Sequence, residues 1–482
     1  MHRRDFCKLA ASALAAPLAW TIDGASNSES MVAAGADLVS PLTGENGTTG
    51  MLPKVRVHPE WHGLVAADNT PFIPFGPTYF RPNTGWAPQV WKQFDATLTA
   101  RDFVILKANH FNTARIFLAS TAFYPKPGSL NLRGMEKLDA LIAAAEAAGI
   151  YIQLCGLGGW EGTPAWQRTD VYADPRALAD QEQFWHLLAA RYKDRNVILT
   201  YELANEPTVH WNSPAMQALW NKWNHKTTSI PPAKDNPGGS ALLAYQHFRK
   251  QVADDWTRRQ VDAIKQADPN ALVTIGLIQW SIPAIPKEPH FYSGFRPQRL
   301  AKLLDFMEVH FYPLAAGGYR YQSEAIQQAN LAYLESVVRE TALPGLPTVL
   351  GEFGWYGGGI CPHYGPPRPA TQQQQAHFCG LEVRTSTPLV CGWLNWATYD
   401  DPAAADVTRF SGLFTADGTV KAWGRRFSHI AHEYQHHLPP VPLGQIGPRP
   451  KLPWDACLTS SAAAEKFRVE YLAAFGREEF RT

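Results

Sequence analysis

The chain has 482 residues, of which 45% are hydrophobic and 18% charged, a balance that excludes an intrinsically disordered protein. Its 44 Lys+Arg and 43 Asp+Glu leave a net charge of +1, without the basic excess of a nucleic-acid-binding surface, so no nucleic-acid partner is expected. The 17 Trp, 17 Tyr and 23 Phe suit either a large core or flat platforms for sugar rings, and composition alone does not separate the two.

The chain opens Met1-His2-Arg3-Arg4-Asp5-Phe6-Cys7-Lys8 and continues with an Ala-rich apolar run from Leu9 to Trp20. A twin Arg ahead of a short apolar stretch reads as a twin-arginine export signal; the alternative is a short amphipathic helix. The run is too short to span a bilayer and no other apolar stretch reaches about 18 residues. The mature chain is therefore expected in the periplasm or outside the cell, away from the membrane. The expected organisation is a signal over 1–30, a flexible leader over 31–54, a main domain over 55–437 and a Pro-rich extension over 438–482, with a short helix over 461–475 that packs back on the main domain. Once Cys7 leaves with the signal, Cys155, Cys361, Cys379, Cys391 and Cys457 remain, with no CxxC pair and no Cys/His ligand spacing. No metal or other cofactor is expected, and the disulfide pattern and oligomeric state stay open.

Short apolar runs alternate with helical periods eight times. The runs are Phe72–Thr78, Thr113–Leu118, Tyr151–Leu157, Val197–Ala204, Leu272–Leu277, Phe306–Phe311, Thr348–Phe353 and Cys391–Trp396. The helices that follow them fall over 90–108, 134–148, 175–193, 240–267, 297–304, 323–341, 371–385 and 420–436. In the second, Met135, Leu138, Leu141, Ile142 and Ala145 recur at helical spacing. Eight such units predict an α/β fold, a closed (β/α)8 TIM barrel. The competing open sheet of the dinucleotide-binding type lacks its Gly-rich loop after the first strand.

Active sites of such barrels lie at the C-terminal strand ends. The fourth strand ends Tyr201-Glu202-Leu203-Ala204-Asn205-Glu206-Pro207, and the seventh ends Leu350-Gly351-Glu352-Phe353-Gly354. Glu206 and Glu352 thus share one end of the barrel, as retaining glycoside hydrolysis requires: one carboxylate attacks the anomeric carbon and the other moves the proton. Arg115 ends the second strand, where a guanidinium favours an ionised carboxylate beside it. His310 and Tyr312 alternate on the sixth strand and share a face; Tyr312 is placed to donate to a carboxylate and His310 to support the site. Trp393 and Trp396 lie on opposite faces of the eighth strand, and Trp396, nearer its end, is the candidate floor beneath a sugar. Trp160 and Trp355, just after the third and seventh strands, are candidate stacking platforms. Trp211, Trp220 and Trp223 lie in the segment after Pro207, a candidate to shape the cleft; for Trp220 and Trp223 the alternative is a helix packing on the barrel.

The set Arg115, Asn205-Glu206-Pro207, His310-Phe311-Tyr312, Glu352 in Gly-Glu-Phe-Gly and the late Trp396 resembles glycoside hydrolase family 5, over about 55–435. The stretch Glu202-Leu203-Ala204-Asn205-Glu206-Pro207, and more faintly Gly158-Gly159-Trp160, is similar to the mannanase branch. The resemblance implies Glu206 as acid/base, Glu352 as nucleophile, Asn205 on the sugar 2-hydroxyl, and Arg115 and Tyr312 placing Glu352. It implies a β-linked glycan as substrate, β-1,4-mannan or β-1,4-glucan, and no cofactor. One departure is the third strand, Gln153-Leu154-Cys155-Gly156, which lacks the His common in cellulase-like members. Two rival readings remain: a carbohydrate-binding barrel without catalysis, whose mark would be a missing carboxylate or Arg115, and a transglycosylase using the same pair.

Overall fold

A computed structural model describes residues 52–476, apart from 83, 85–86, 159–161, 226–238, 285–287, 316–317, 362 and 437–446. The expected export signal, nearly all of the leader, Trp160 and the start of the Pro-rich extension lie outside the described residues.

The eight barrel strands come in the expected order: β1 (Phe75–Pro77), β2 (Thr113–Ala119), β3 (Tyr151–Gly158), β4 (Ile198–Asn205), β5 (Val273–Leu277), β6 (Met307–His310), β7 (Thr348–Phe353) and β8 (Trp393–Asn395). Parallel pairing runs from β2 round to β8 and on to β1. A parallel bridge between Thr78 and Arg115 brings β1 and β2 together. Asn112 reinforces that seam, accepting from the Phe75 N–H at 2.9 Å and donating to the Ile73 carbonyl at 2.8 Å. The fold is a (β/α)8 barrel.

The surrounding helices are α1 (Ala96–Ala108), α2 (Leu132–Ala148), α3 (Pro175–Tyr192), α4 (Gly239–Ala267), α5 (Pro297–Leu300), α6 (Glu324–Ala342), α7 (Gln372–Ser386) and α8 (Ala422–Glu433). Local chemistry sets several of their starts. Asp95, Asp174 and Ser323 accept from backbone N–H groups in the first turns of α1, α3 and α6. Thr371 and Gln374 form a reciprocal capping box on α7, satisfying donors that a helix start leaves bare. On α2 the five residues expected inward are all buried.

Three expected boundaries move. The run Phe72–Thr78 splits at Pro74, which has no N–H to continue a ladder. Phe72 instead belongs to an antiparallel sheet of Arg56–Val57, Leu64–Val65 and Pro71–Phe72. The helix expected over 90–108 starts at Ala96 behind its Asp95 cap, after a 3-10 turn at Ala87–Trp91. The one expected over 297–304 is a single turn, α5.

The small antiparallel sheet plugs the barrel's N-terminal end. Val55, Leu64 and Phe72 pack on Tyr151, Leu199, Leu272, Phe306, Val349 and Cys391, which lie at or next to the starts of the strands. Leu52 joins this cluster, and the Pro53 carbonyl accepts from the Tyr151 hydroxyl at 2.7 Å, so the last leader residues are already part of the fold. All five described cysteines are buried and free of disulfides. No described helix is long and apolar enough to cross a membrane.

After the undescribed stretch the chain returns along α6 and forms α9 (Ser461–Phe475), the last described helix. Arg449 donates to both oxygens of Glu335 at 2.6 and 3.1 Å, and the Tyr471 hydroxyl donates to the same carboxylate at 2.8 Å. Trp454 Nε1 donates to Glu340 at 2.9 Å. Glu335→Ala strips two groups of their shared acceptor, and breaking a buried ion pair costs about 3–5 kcal/mol. Urea unfolding should register that loss, with Glu335→Gln, which still accepts from Tyr471, losing less.

Candidate active site

Arg115 on β2 is fully buried and organises the barrel mouth. Its Nε and Nη2 donate to the two oxygens of Glu202 on β4, each at 2.7 Å. Nη1 donates to Glu352 Oε2 at 2.8 Å and Nη2 to Asn205 Oδ1 at 2.7 Å. The Phe117 ring lies 4.6 Å from the guanidinium carbon. Tyr312 donates to the other oxygen of Glu352 at 2.7 Å, and its own backbone N–H is held by Gln279 Oε1 at 2.7 Å. Glu352 on β7 therefore has each oxygen fixed by a donor from a different strand: Tyr312 just past the end of β6, and Arg115 from within β2, which continues to Ala119 and does not end at Arg115 as expected.

His310 stands between the carboxylates. Its Nδ1 is 3.5 Å from Glu206 Oε1 and 3.7 Å from Glu352 Oε2, and its Nε2 is 3.5 Å from Glu308 Oε1. An oxygen of Glu206 and one of Glu352 lie within 4.8 Å of each other. The Glu206 side chain is 12% exposed and that of Glu352 1%, so one faces the opening and the other the floor.

Strand irregularities aim these groups. The β4–β5 register shifts between Glu202 and Asn205, and the β6–β7 register shifts between Leu350 and Glu352; such bulges redirect side chains at barrel rims. Glu206 has φ +50°, a left-handed conformation that costs a non-glycine residue about 1–3 kcal/mol and gathers at functional sites. Its N–H is pinned to the Gly276 carbonyl at 2.8 Å.

Burial raises the Glu202 carboxyl, but the charge and hydrogen bonds of Arg115 outweigh it and hold Glu202 below its ordinary value. Burial and the neighbouring Glu202 charge push Glu308 up. Burial alone would lower His310; the Glu352 charge, with Glu206 and Glu308, carries it to about 9. Glu202/Glu308/His310 and Glu206/His310/Glu352 each bring three potential metal ligands within 4.8 Å. Arg115 already bonds Glu202 and Glu352 and sits 3.9 Å from Glu308, so the chain supplies its own cation there.

The structure brings together Arg115, Asn205, Glu206, His310, Tyr312 and Glu352. Trp396, the expected sugar floor, lies just past the end of β8 and is corrected: it is fully buried beside Phe80 and Phe117 at 5.4 and 6.1 Å, with Nε1 donating to Thr408 Oγ1 at 3.0 Å, and presents no open ring face. Trp393 points the other way, onto Phe75 and Tyr434. Trp355 is corrected: it is fully buried, stacked on Tyr364 at 5.7 Å, with Nε1 donating to the Tyr319 carbonyl at 2.6 Å. It braces loops, because no ring face is left open for a sugar. Trp220 and Trp223 lie on the helix Pro214–Trp223 and pack on Phe248 of α4.

Sequence reasoning missed Glu308 and Gln153 as site residues and gave Glu202 no role of its own. Gln153 Nε2 donates to Glu202 Oε2 at 2.9 Å and to both Glu308 oxygens at 2.9 and 3.0 Å. The signal was available: the alternation that joins His310 to Tyr312 extends back to Glu308, and a charged residue inside an apolar strand run is itself unusual.

The family model for cellulases of glycosyl hydrolase family 5 matches residues 66–400. The chain belongs to that family. Among its relatives is a putative mannan endo-1,4-beta-mannosidase 9 of Oryza sativa subsp. japonica, 22% identical over 48% of this chain and 54% of the relative. Another is mannan endo-1,4-beta-mannosidase A of Podospora anserina, 22% identical over 37% of this chain and 42% of the relative. The chain thus spans about half the length of the curated relatives it matches. A GH5_18 structure from Streptomyces cattleya, of which a variant was solved with Manβ1-4GlcNAc, superposes with a TM-score of 0.58 at 22% identity, over 84% of this chain and 97% of that one. These likenesses show the fold.

Proposed function

We propose that the chain is an exported, retaining β-glycoside hydrolase acting on β-1,4-linked mannosides. The observation that carries the reading is the Glu206–Glu352 pair, with oxygens within 4.8 Å. Retaining enzymes hold their carboxyls about 5–5.5 Å apart, whereas an inverting pair needs about 6.5–9.5 Å to admit water. Glu352 attacks the anomeric carbon as the glycosidic C–O bond breaks, and Glu206 passes its proton to the departing oxygen. Water then attacks the same carbon, Glu206 takes its proton, and the ester to Glu352 is released. Arg115 and Tyr312 hold Glu352 in line without rearrangement during the reaction, which is the economy of a preorganised site. Asn205, steadied by Arg115, binds the sugar 2-hydroxyl in this reading.

The names and ligand of the relatives support mannose over glucose at the point of cleavage. The Arg3-Arg4-x-Phe6-x-Lys8 start supports export by the twin-arginine route.

Mannan, β-mannobiosides, glucomannan, carboxymethyl-cellulose, xylan and aryl β-glycosides should be offered side by side, with the first-formed anomer read by proton NMR. Mannosides cleaved to the β anomer first support the proposal. The α anomer first sinks the retaining mechanism. Glucan cleaved in preference to mannan moves the sugar, and a folded but inert chain favours the binding-protein alternative. Longer saccharides accumulating at high mannoside concentration would identify a transglycosylase.

A further inference from the structure

Under the catalytic pair lies a second tier of ionisable side chains. Glu308 on β6 is fully buried. Gln153 grips both of its oxygens at 2.9 and 3.0 Å, and one oxygen faces His310 Nε2 at 3.5 Å. Glycines on the flanking strands clear the space. A Cβ at Gly351 on β7 would lie 1.8 Å from Glu308 Oε1, and one at Gly276 on β5 would lie 2.2 Å from Glu202 Oε1 and 2.7 Å from His310 Nε2. Two inward positions are thus left empty to admit three polar side chains, where filled barrels place branched apolar ones.

The consequence falls on His310. Both ring nitrogens face carboxylate oxygens: Nδ1 those of Glu206 and Glu352, Nε2 that of Glu308. A neutral imidazole carries a lone pair on one nitrogen and would turn it on an anion. Only the imidazolium presents N–H to both sides.

We propose that Glu308 is a positioning residue that keeps His310 as an imidazolium wedged between the two reacting carboxylates. The proposal rests on the assignment of Glu206 and Glu352 above. The charges facing His310 are Glu206 and Glu202 from β4, Glu352 from β7, Glu308 from β6 itself and Arg115 from β2, the last opposing its protonation. The value of about 9 for His310 agrees with a ring charged throughout the neutral range. The sign for activity follows. An imidazolium 3.5 Å from Glu206 favours the Glu206 anion, so removing that charge lets Glu206 keep its proton to higher pH.

The test is the titration of the His310 ring by nitrogen-15 NMR, its signal assigned by its absence in His310→Asn. In the native chain both ring nitrogens should be protonated at pH 7. In Glu308→Gln, His310 should titrate about 1–3 pH units lower, the range for losing an opposite charge at this distance, and the alkaline limb of kcat/KM should move upward. A purely structural role for Glu308 would move neither. A neutral tautomer in the native chain overturns the proposal whether or not Glu308→Gln folds. An unchanged His310 titration in Glu308→Gln overturns it too, since Glu308 would then carry its own proton. The NMR result does not depend on turnover, so a charged His310 in a chain inert on every glycoside would fault the functional assignment and leave this one standing.

Discussion

Glu352→Ala should abolish hydrolysis of every glycoside the native chain cleaves, whereas Glu206→Ala should fail selectively. As the proposed proton donor, Glu206 should matter in proportion to how poorly the leaving oxygen departs. On mannosides with a sugar leaving group its loss should cost about 10²–10⁴-fold, the usual worth of general acid catalysis. On a dinitrophenyl mannoside, whose phenolate needs no proton, the first step should be nearly unaffected. In the proposed mechanism Glu352 makes the covalent bond in either case, so no leaving group should rescue its loss. Added azide separates the roles further, because the anion enters the space the missing carboxylate vacates. Glu352→Ala should give the α-glycosyl azide and Glu206→Ala the β-azide, read by NMR of the products. Reversed anomers would reverse the two roles, and equal sensitivity to the leaving group would end the assignment. Neither substitution removes Arg115's paired bonds to Glu202, so both variants should remain folded.

Arg115→Ala should lose stability as well as activity. Its guanidinium bonds Glu202 twice and Glu352 once with all three side chains out of water. Removing one partner of a buried pair costs about 3–5 kcal/mol, because the stranded charge stays buried. The pH dependence has a definite sign. Glu202 is held below its ordinary value of 4.5, so the stabilisation from the pair is present above that pH and is lost as pH falls through the depressed native value. In the variant the carboxyl is buried without its cation, and stability instead falls as pH rises. The gap between native and variant unfolding midpoints in urea should therefore widen from pH 4 to pH 7. Arg115→Lys should recover only part of it, since one ammonium lacks the fork that serves Glu202, Glu352 and Asn205 together. A gap that stays constant with pH would place the cost in packing instead.

The barrel was legible because its signals are local. Apolar runs of strand length, helical periods and capping residues such as Thr371 with Gln374 lie within a few residues of one another, and each element forms close to where its pattern falls. The exceptions have local causes too: Pro74 interrupts the first strand, and Asp95 delays α1. The residues at the mouth were legible for a related reason. In this fold the C-terminal strand ends converge, so a polar residue closing an apolar run is placed before any contact is known. Asn205, Glu206, His310, Tyr312 and Glu352 follow that rule; Arg115 does not, because β2 runs on through Ile116 to Ala119 and the long guanidinium arm reaches the carboxylates from within the strand.

The sequence was enough to set the order of eight strand–helix units, the end of the barrel where the polar side chains gather and the two carboxylates that meet there. Tertiary structure alone decided the rest. Trp355 sits beside a strand end, yet the Tyr364 ring stacks on it and the carbonyl of Tyr319, on another loop, takes its indole N–H. Glu308 reads as one charge in an apolar strand until Gln153 on β3, Gly351 on β7 and His310 enclose it. Burial and charge pairing depend on neighbours from several strands at once, and strand periodicity specifies a face without saying what stands across from it.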